Sequence, residues 1–181
     1  MKPAFTLFRA AALLGLSVVV IAGEGSGSNS GVSLGNLRIR KQVAGWQEEK
    51  GSFMKFGPEK LFEIINGGAP EYIDQGMMRG FVQRLSGPGS ATMEVFAEDF
   101  GTHENAGKMV QAKKQDRDTL MYLPGFDTAT VVVIPAIGAC VAYGAIDRFY
   151  FEITLSGLGS SGSEALAELK KFFLFYRGFF E

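Results

Sequence analysis

The sequence predicts an α+β fold, a mainly antiparallel sheet of about five strands with helices packed on it. Segments with strand character follow one another in runs joined by short turns, which is typical of antiparallel hairpins. Segments with helical spacing stand apart from those runs, near the start, in the middle and at the end of the chain. Together these patterns favour one domain over a repeat of strand–helix units.

The first 22 residues have the pattern of a secretory signal peptide. Lys2 and Arg9 are basic, and the apolar run at 10–22 is shorter than the roughly 20 residues that a spanning helix needs. An uncleaved anchor is the alternative, and it would be the chain's only contact with a membrane. We expect an exported protein, either periplasmic or extracellular, with a Gly/Ser-rich linker at 23–36 and a single domain at 37–181.

The segment around a Gly-Gly pair predicts two short helices. Pro58 suits the first turn of a helix, and apolar residues at 61–65 give that helix a buried face. The run "NGG" at 66–68 should end it, since glycine adopts the left-handed conformation beyond a helix C-terminus at little cost. Pro70 begins a second helix, which Gly76 ends.

Alternation and turn chemistry predict the sheet and the remaining helices. Residues 37–56 contain at most one strand or an extended arm, which Trp46 anchors on the domain. Thr102 caps a helix at 104–114, and a terminal helix is indicated by Leu166, Leu169, Phe173 and Tyr176. The five strand candidates lie at 77–85, 91–98, 128–134, 139–145 and 148–155.

Several short motifs occur in a recognisable order. The run "INGGA" at 65–69 is followed by Tyr72 and Gly76, then by "MEVFAEDF" at 93–100 and "ENA" at 104–106. This order resembles a family of uncharacterised bacterial exported proteins built around a "YINGGAE-Y"-type motif, a domain of unknown function. The resemblance covers about residues 44–178. It implies export and one common domain, and it brings no activity with it.

The same Gly-Gly turn carries the best cluster of polar residues. Carboxylates beside exposed glycine backbone can hold a small ligand, or they can act as an acid–base pair. The structural alternative is that the turn is a hinge, Tyr72 packs back on the sheet and the acids are solvated. The candidate ligand-binding residues are Glu63, Asn66, Gly67, Gly68, Glu71 and Tyr72.

Other kinds of site find little support in the sequence. The net charge of −1 lacks the basic excess of a nucleic-acid binder, so no nucleic-acid partner is expected. His103 is the only histidine and Cys140 the only cysteine, which is too few for a zinc site or a nucleophile–base pair of the familiar kinds. Cys140 should be inert and packed inside the domain. We predict no metal, no cofactor and no catalytic residue.

The terminal helix ends in an aromatic cluster, "KKFFLFYRGFF". Phe175, Phe179 and Phe180 lie off the face that packs on the core, so they either contact a partner or wrap over the sheet edge. The sequence thus favours a non-enzymatic cell-envelope domain that binds a small ligand or a protein partner. The alternatives are an envelope enzyme that uses the carboxylates around the turn, and an assembly component that docks through this aromatic helix.

Overall fold

In a computed structural model, described for residues 31–65, 68–114, 120–127, 130–158 and 162–181, one antiparallel sheet separates two layers of helices. The seven strands are β1 (Gln47–Glu48), β2 (Met54–Phe56), β3 (Arg79–Ser86), β4 (Thr92–Asp99), β5 (Val131–Ala136), β6 (Ala139–Ile146) and β7 (Phe149–Ser156). The helices are α1 (Leu61–Ile64), α2 (Ala69–Asp74), α3 (His103–Lys114) and α4 (Gly162–Arg177). The α+β prediction is confirmed.

The strands lie in the order β1-β3-β4-β7-β6-β5, and β2 pairs with the same edge of β3 that β1 occupies. Every pairing is antiparallel. The prediction of about five strands was low because β1 and β2 have two and three residues, too few for an alternating pattern to show. The predicted β5 began at 128, and residues 128–129 lie outside the described residues.

One face of the sheet packs against α4 and against the N-terminal arm, residues 31–46. The ring of Phe151 stacks on Tyr176 with centroids 4.3 Å apart, and Trp46 meets Phe172 edge to face at 5.4 Å. The Trp46 indole Nε1 donates a hydrogen bond of 2.9 Å to Glu168 Oε2, which fixes the arm against α4. The apolar half of β7 is buried here as its alternation predicted, with Phe149, Phe151, Ile153 and Leu155 all in this core.

The N-terminal arm begins earlier than the sequence predicted. Leu34 and Leu37 are both buried in the core that α4 covers, and the backbone N–H of Leu37 bonds the carbonyl of Leu34 at 3.2 Å. Leu34 thus packs on the core from within the stretch predicted to be a linker, where a single leucine among Gly and Ser residues gives no periodic signal. The predicted signal segment and the linker as far as residue 30 lie outside the described residues.

The opposite face of the sheet packs against α1, α2 and α3. Its buried apolar residues come from the three helices, from the segments that follow them and from the alternate positions of the strands. They include Leu61, Tyr72, Met77, Phe100, Ala106, Met109, Val110, Val132 and Tyr150. Both faces of the central strands are therefore covered, which matters for the polar residues that the second face also carries.

Two glycines allow a paired test of this packing. A Cβ on Gly144 of β6 would lie 2.8 Å from Phe173 Cζ and 3.2 Å from Val131 Cγ2, so α4 rests directly on the bare backbone. Gly144→Ala should lower the free energy of unfolding by about 1–3 kcal/mol, because the buried ring has to move.

The matched control is Gly107→Ala in the middle of α3, where an added Cβ meets nothing within 4 Å. There alanine should stabilise the protein by about 0.5–1 kcal/mol through helix propensity. Denaturant unfolding of both variants is the measurement. Equal stability of Gly144→Ala and the wild type would contradict the packing of α4 on β6.

Candidate functional site

The pairing of β4 with β7 places a row of acidic and aromatic side chains under the helices. In register, Glu98 lies opposite Tyr150 and Phe96 lies opposite Glu152. Alternate residues of a strand share a face, so Glu94 joins this row, on the side of the sheet that packs against α2 and α3. Carboxyl groups thus lie among aromatic rings in a layer that is mostly closed to water.

Helix α2 lays Tyr72 across this row. Its hydroxyl donates a hydrogen bond of 3.0 Å to Glu152 Oε2, and its ring meets Tyr150 edge to face at 6.0 Å. Pro70 lies in the first turn of α2, where its missing N–H costs nothing, and Gly76, at φ +85°, follows its C-terminus as predicted. The short helix is therefore held at both ends, and Tyr72 is only 2% exposed.

A cavity of about 260 Å³ opens between α1 and the sheet, beside Tyr72. One wall is apolar and comes from the end of α1, and the other carries the carboxyl groups of β4 and β7. The described residues that line it are Ile64, Ile65, Tyr72, Glu94, Phe96 and Glu152. Apolar walls with a few convergent polar groups are typical of small-ligand sites.

Lys113 of α3 is a basic residue beside this polar row. Its Nζ donates to Glu71 Oε2 at 2.6 Å and lies 4.9 Å from the centroid of the Tyr72 ring. At the other end of the row, Arg84 Nε donates to Glu94 Oε2 at 2.7 Å. Each of these cations is therefore paired with a carboxylate other than Glu98 and Glu152.

Glu98 is the most unusual group in the layer. Its side chain is fully buried, and neither carboxyl oxygen has a hydrogen-bond partner among the residues that the structure describes. Burial raises the pKa of Glu98 well above its ordinary value, Glu152 raises it further, and Lys113 opposes the change. Gly80 makes room for it, since a Cβ there would lie 2.9 Å from Glu98 Cγ.

The neighbours of Glu98 are shifted in the same direction. Burial raises the pKa of Glu152, although the hydrogen bond from Tyr72 and the charge of Lys113 act against it. Burial also raises the pKa of Tyr72, and the charges of Glu98 and Glu152 add to the effect. The tyrosine therefore stays a neutral donor, and the two glutamates share a site that disfavours two negative charges.

The structure brings together only part of the cluster predicted around the Gly-Gly turn. Tyr72 lines the cavity and Glu71 lies behind it on Lys113, whereas Glu63 is exposed on α1. Asn66 and Gly67 lie outside the described residues. Gly68 has φ −87° at the start of α2, so the left-handed conformation predicted for the glycines is wrong at this one.

Sequence reasoning missed the residues that contribute most to the site. Glu94 and Glu98 share one face of a strand by simple alternation, and Tyr150 and Glu152 share a face of another. The register that joins those two faces was not visible, nor was their burial under α2 and α3. The overlooked signal has two parts. Two strands carry a polar and aromatic face, and the helices α2 and α3 need a sheet face to cover, which indicates that this polar face is buried.

The other candidate residues are placed as follows. The Thr102 hydroxyl accepts a bond of 3.2 Å from the Asn105 N–H, which confirms the predicted cap, and His103 Nδ1 lies 3.1 Å from the Asp147 carbonyl oxygen. Cys140 is buried, and burial raises the pKa of its thiol, as expected for an inert cysteine. Among the described residues no group of three His, Cys, Asp or Glu side chains is arranged to hold a metal ion.

The C-terminal aromatics are neither free nor fully buried. Phe180 packs on Phe149 with centroids 5.8 Å apart, and Phe175 meets Phe179 at 5.2 Å. All three predicted partner-binding residues contact the core next to α4 while keeping part of their surface exposed. Their role in binding a partner stays a prediction.

The buried carboxyl of Glu98 should make stability depend on pH. Because its pKa is raised on folding, the folded chain binds this proton more tightly than the unfolded chain does. The free energy of unfolding should therefore fall as pH rises above the ordinary carboxyl range, by up to about 1.4 kcal/mol for each pH unit. Glu98→Gln, which mimics the protonated acid, should remove this loss, so its advantage over the wild type should grow as pH rises from the ordinary carboxyl range through neutrality.

Chemical unfolding across that pH range measures the effect. Glu63→Gln, the same change on the exposed surface of α1, is the control and should follow the wild-type profile. Parallel pH profiles for Glu98→Gln and the wild type would mean that Glu98 is not buried as an unpaired acid.

Comparisons with known proteins add a distant likeness in fold. No protein-family model matches the chain, and no curated protein does. Among solved structures, the extracellular domain of PknH from Mycobacterium tuberculosis is similar, with a TM-score of 0.48 and 12% sequence identity, over 79% of this chain and 94% of that one. Within the residues described, no helix has the length and apolar character needed to cross a membrane.

Proposed function

We propose that this chain is an exported cell-envelope domain that binds a small ligand without transforming it. Support for export comes from the basic and apolar pattern of residues 1–22. Support for ligand binding comes from one observation, the cavity of about 260 Å³ between α1 and the sheet. Its volume lies just below the range of roughly 300–1,000 Å³ known for small-molecule sites, so it suits a small ligand.

The polar groups of the cavity favour binding over catalysis. The hydroxyl of Tyr72 donates a hydrogen bond to Glu152, and Glu94 forms a salt bridge with Arg84. Each of these polar groups is therefore held in place by a partner within the protein. The described lining contains no serine, cysteine or histidine that would serve as a nucleophile or general base near neutral pH. Glu63 and Glu71, the carboxylates of the enzymatic alternative, are not among the described lining residues.

Assembly through the aromatic end of the chain is the second candidate. Phe175, Phe179 and Phe180 retain exposed surface beside the exposed Leu174 of α4, so this end of the domain offers an apolar contact. They also pack on one another and on the core, which gives them a structural role without a partner. The cavity is therefore the better supported site.

Native mass spectrometry of the protein isolated from its own cells tests the proposal. The wild type should carry a reproducible additional mass. Ile64→Trp, which fills the cavity from the end of α1, should lose that mass, because Ile64 is one of the lining residues. The matched control is Phe62→Trp on the same helix, where the side chain is 59% exposed and turned away from the cavity lining, and it should keep the mass.

Two results would contradict ligand binding in this cavity. One is a wild-type protein that carries no additional mass. The other is an Ile64→Trp variant that keeps the mass while unfolding at the same temperature as the wild type.

A further inference from the structure

Of the two carboxyl groups that line the cavity, Glu152 has no ion-pair partner among the described residues. The carboxyl groups of Glu71 and Glu94 have cationic partners at 2.6 and 2.7 Å, namely Lys113 and Arg84. Glu152 has a neutral partner, the hydroxyl of Tyr72. The ligand that completes this site should therefore bring positive charge.

Glu98 is a second and independent indication. It lies two residues from Phe96 on the same face of β4, and its carboxyl is fully buried with no hydrogen-bond partner among the described residues. Its strongest electrostatic neighbours are Glu152, which lines the cavity, and Lys113. Glu98 is not among the described lining residues, but a cation bound at Glu152 would offset the repulsion that the Glu152 carboxylate exerts on it.

The protein already holds one ammonium group in this way. Lys113 Nζ lies over the ring of Tyr72, 4.9 Å from its centroid, and donates to the carboxylate of Glu71. The combination of an aromatic face and a carboxylate is a favourable environment for a cation. The cavity repeats that combination, with Glu152 and Glu94 as acceptors and with the rings of Phe96 and Tyr72.

The apolar wall of the cavity determines which uncharged part of the ligand can bind there. Ile64 and Ile65 present aliphatic surface and no charge, facing a strand pair that supplies the carboxylates. We propose that the cavity binds a primary ammonium or guanidinium group carried on a short apolar stem, with the charged head on Glu152 and Glu94 and the stem against α1. This inference rests on the proposed function and names the class of its ligand.

Isothermal titration calorimetry of the protein isolated from its own cells, after dialysis, tests the charge requirement. The probes are n-pentylammonium and n-pentylguanidinium, with 1-pentanol as the neutral match and pentanoate as the anionic one. At least one cationic probe should bind about tenfold or more tightly than 1-pentanol, and pentanoate should not bind. Equal binding of 1-pentanol and of both cationic probes would overturn the proposal.

Variants locate the site. Glu152→Gln should weaken binding of the cationic probe by about tenfold or more, because the amide keeps the shape and loses the charge. Glu94→Gln, on a side chain that is 32% exposed, should weaken it in the same direction even if Glu152→Gln fails to fold. Glu164→Gln, in the exposed first turn of α4, is the matched control and should bind like the wild type. Unchanged affinity in a folded Glu152→Gln or in Glu94→Gln would overturn the proposal.

A further probe separates two sources of the same chemistry. In N-acetyl-lysinamide the ammonium stands at the end of a side chain attached to a peptide backbone. If it binds as tightly as n-pentylammonium, the site admits a lysine side chain of a polypeptide. If it is excluded while n-pentylammonium binds, the site is restricted to a free small amine. Both results support an ammonium site.

The failure of this inference can be told apart from failure of the proposed function. If the native additional mass is present and is lost in Ile64→Trp, but no cationic probe binds better than 1-pentanol, the cavity binds ligand and the cationic class is wrong. If the native mass is absent and no probe binds, both proposals fail together.

Discussion

The structure depends most on the pairing of β4 with β7 along the full length of both strands, from Thr92 opposite Ser156 to Asp99 opposite Phe149. This pairing joins the hairpin of β3 and β4 to the three-stranded unit of β5, β6 and β7. It fixes which side chains share a face, because a shift by one residue would turn every side chain to the other side. The apolar core under α4 and the acidic row under α2 both follow from this one register.

The β4–β7 register places the carboxyl groups of Glu98 and Glu152 in a buried layer, where a negative charge is energetically unfavourable. A carboxyl group placed in a closed layer either loses its charge or needs a partner, and Glu98 has no hydrogen-bond partner among the described residues. Natural sequences keep such costly groups mainly where they serve a function. The cavity beside Glu152 is the place where we propose that a cationic ligand binds.

Most of the elements could be predicted from the sequence because their signals are local. Alternation in "RFYFEITL" puts Phe149, Phe151, Ile153 and Leu155 on one face, which is the buried one, and Thr102 and Gly76 mark where α3 begins and α2 ends. Strands β1 and β2 were missed because so few residues cannot show a period. Leu34 was assigned to a linker because burial of one leucine is decided by what it meets in space, which the neighbouring sequence does not show.

The candidate site could be predicted only in part, for a similar reason. Tyr72 and Glu71 were identified from the unusual run around the Gly-Gly turn. Tyr72 lines the cavity, and Glu71 lies behind it in a salt bridge with Lys113. Glu98 and Glu152 are separated by more than fifty residues in the chain and become neighbours only through the β4–β7 register. The strand faces that carry Glu94 and Glu98 in β4, and Tyr150 and Glu152 in β7, would ordinarily face solvent, and the packing of α2 and α3 changes that.

The central claim is that the β4–β7 register buries two interacting carboxyl groups beside the cavity. A carbon-13 NMR titration of the glutamate side-chain carboxyl signals tests it most directly, with Glu98→Gln and Glu152→Gln used to assign the two resonances. The account predicts that both groups titrate with a pKa above the ordinary range for glutamate, Glu98 the higher of the two, because burial disfavours their charged forms. If both signals titrate in the ordinary range, the two carboxyl groups face water, and the site described for this protein does not exist.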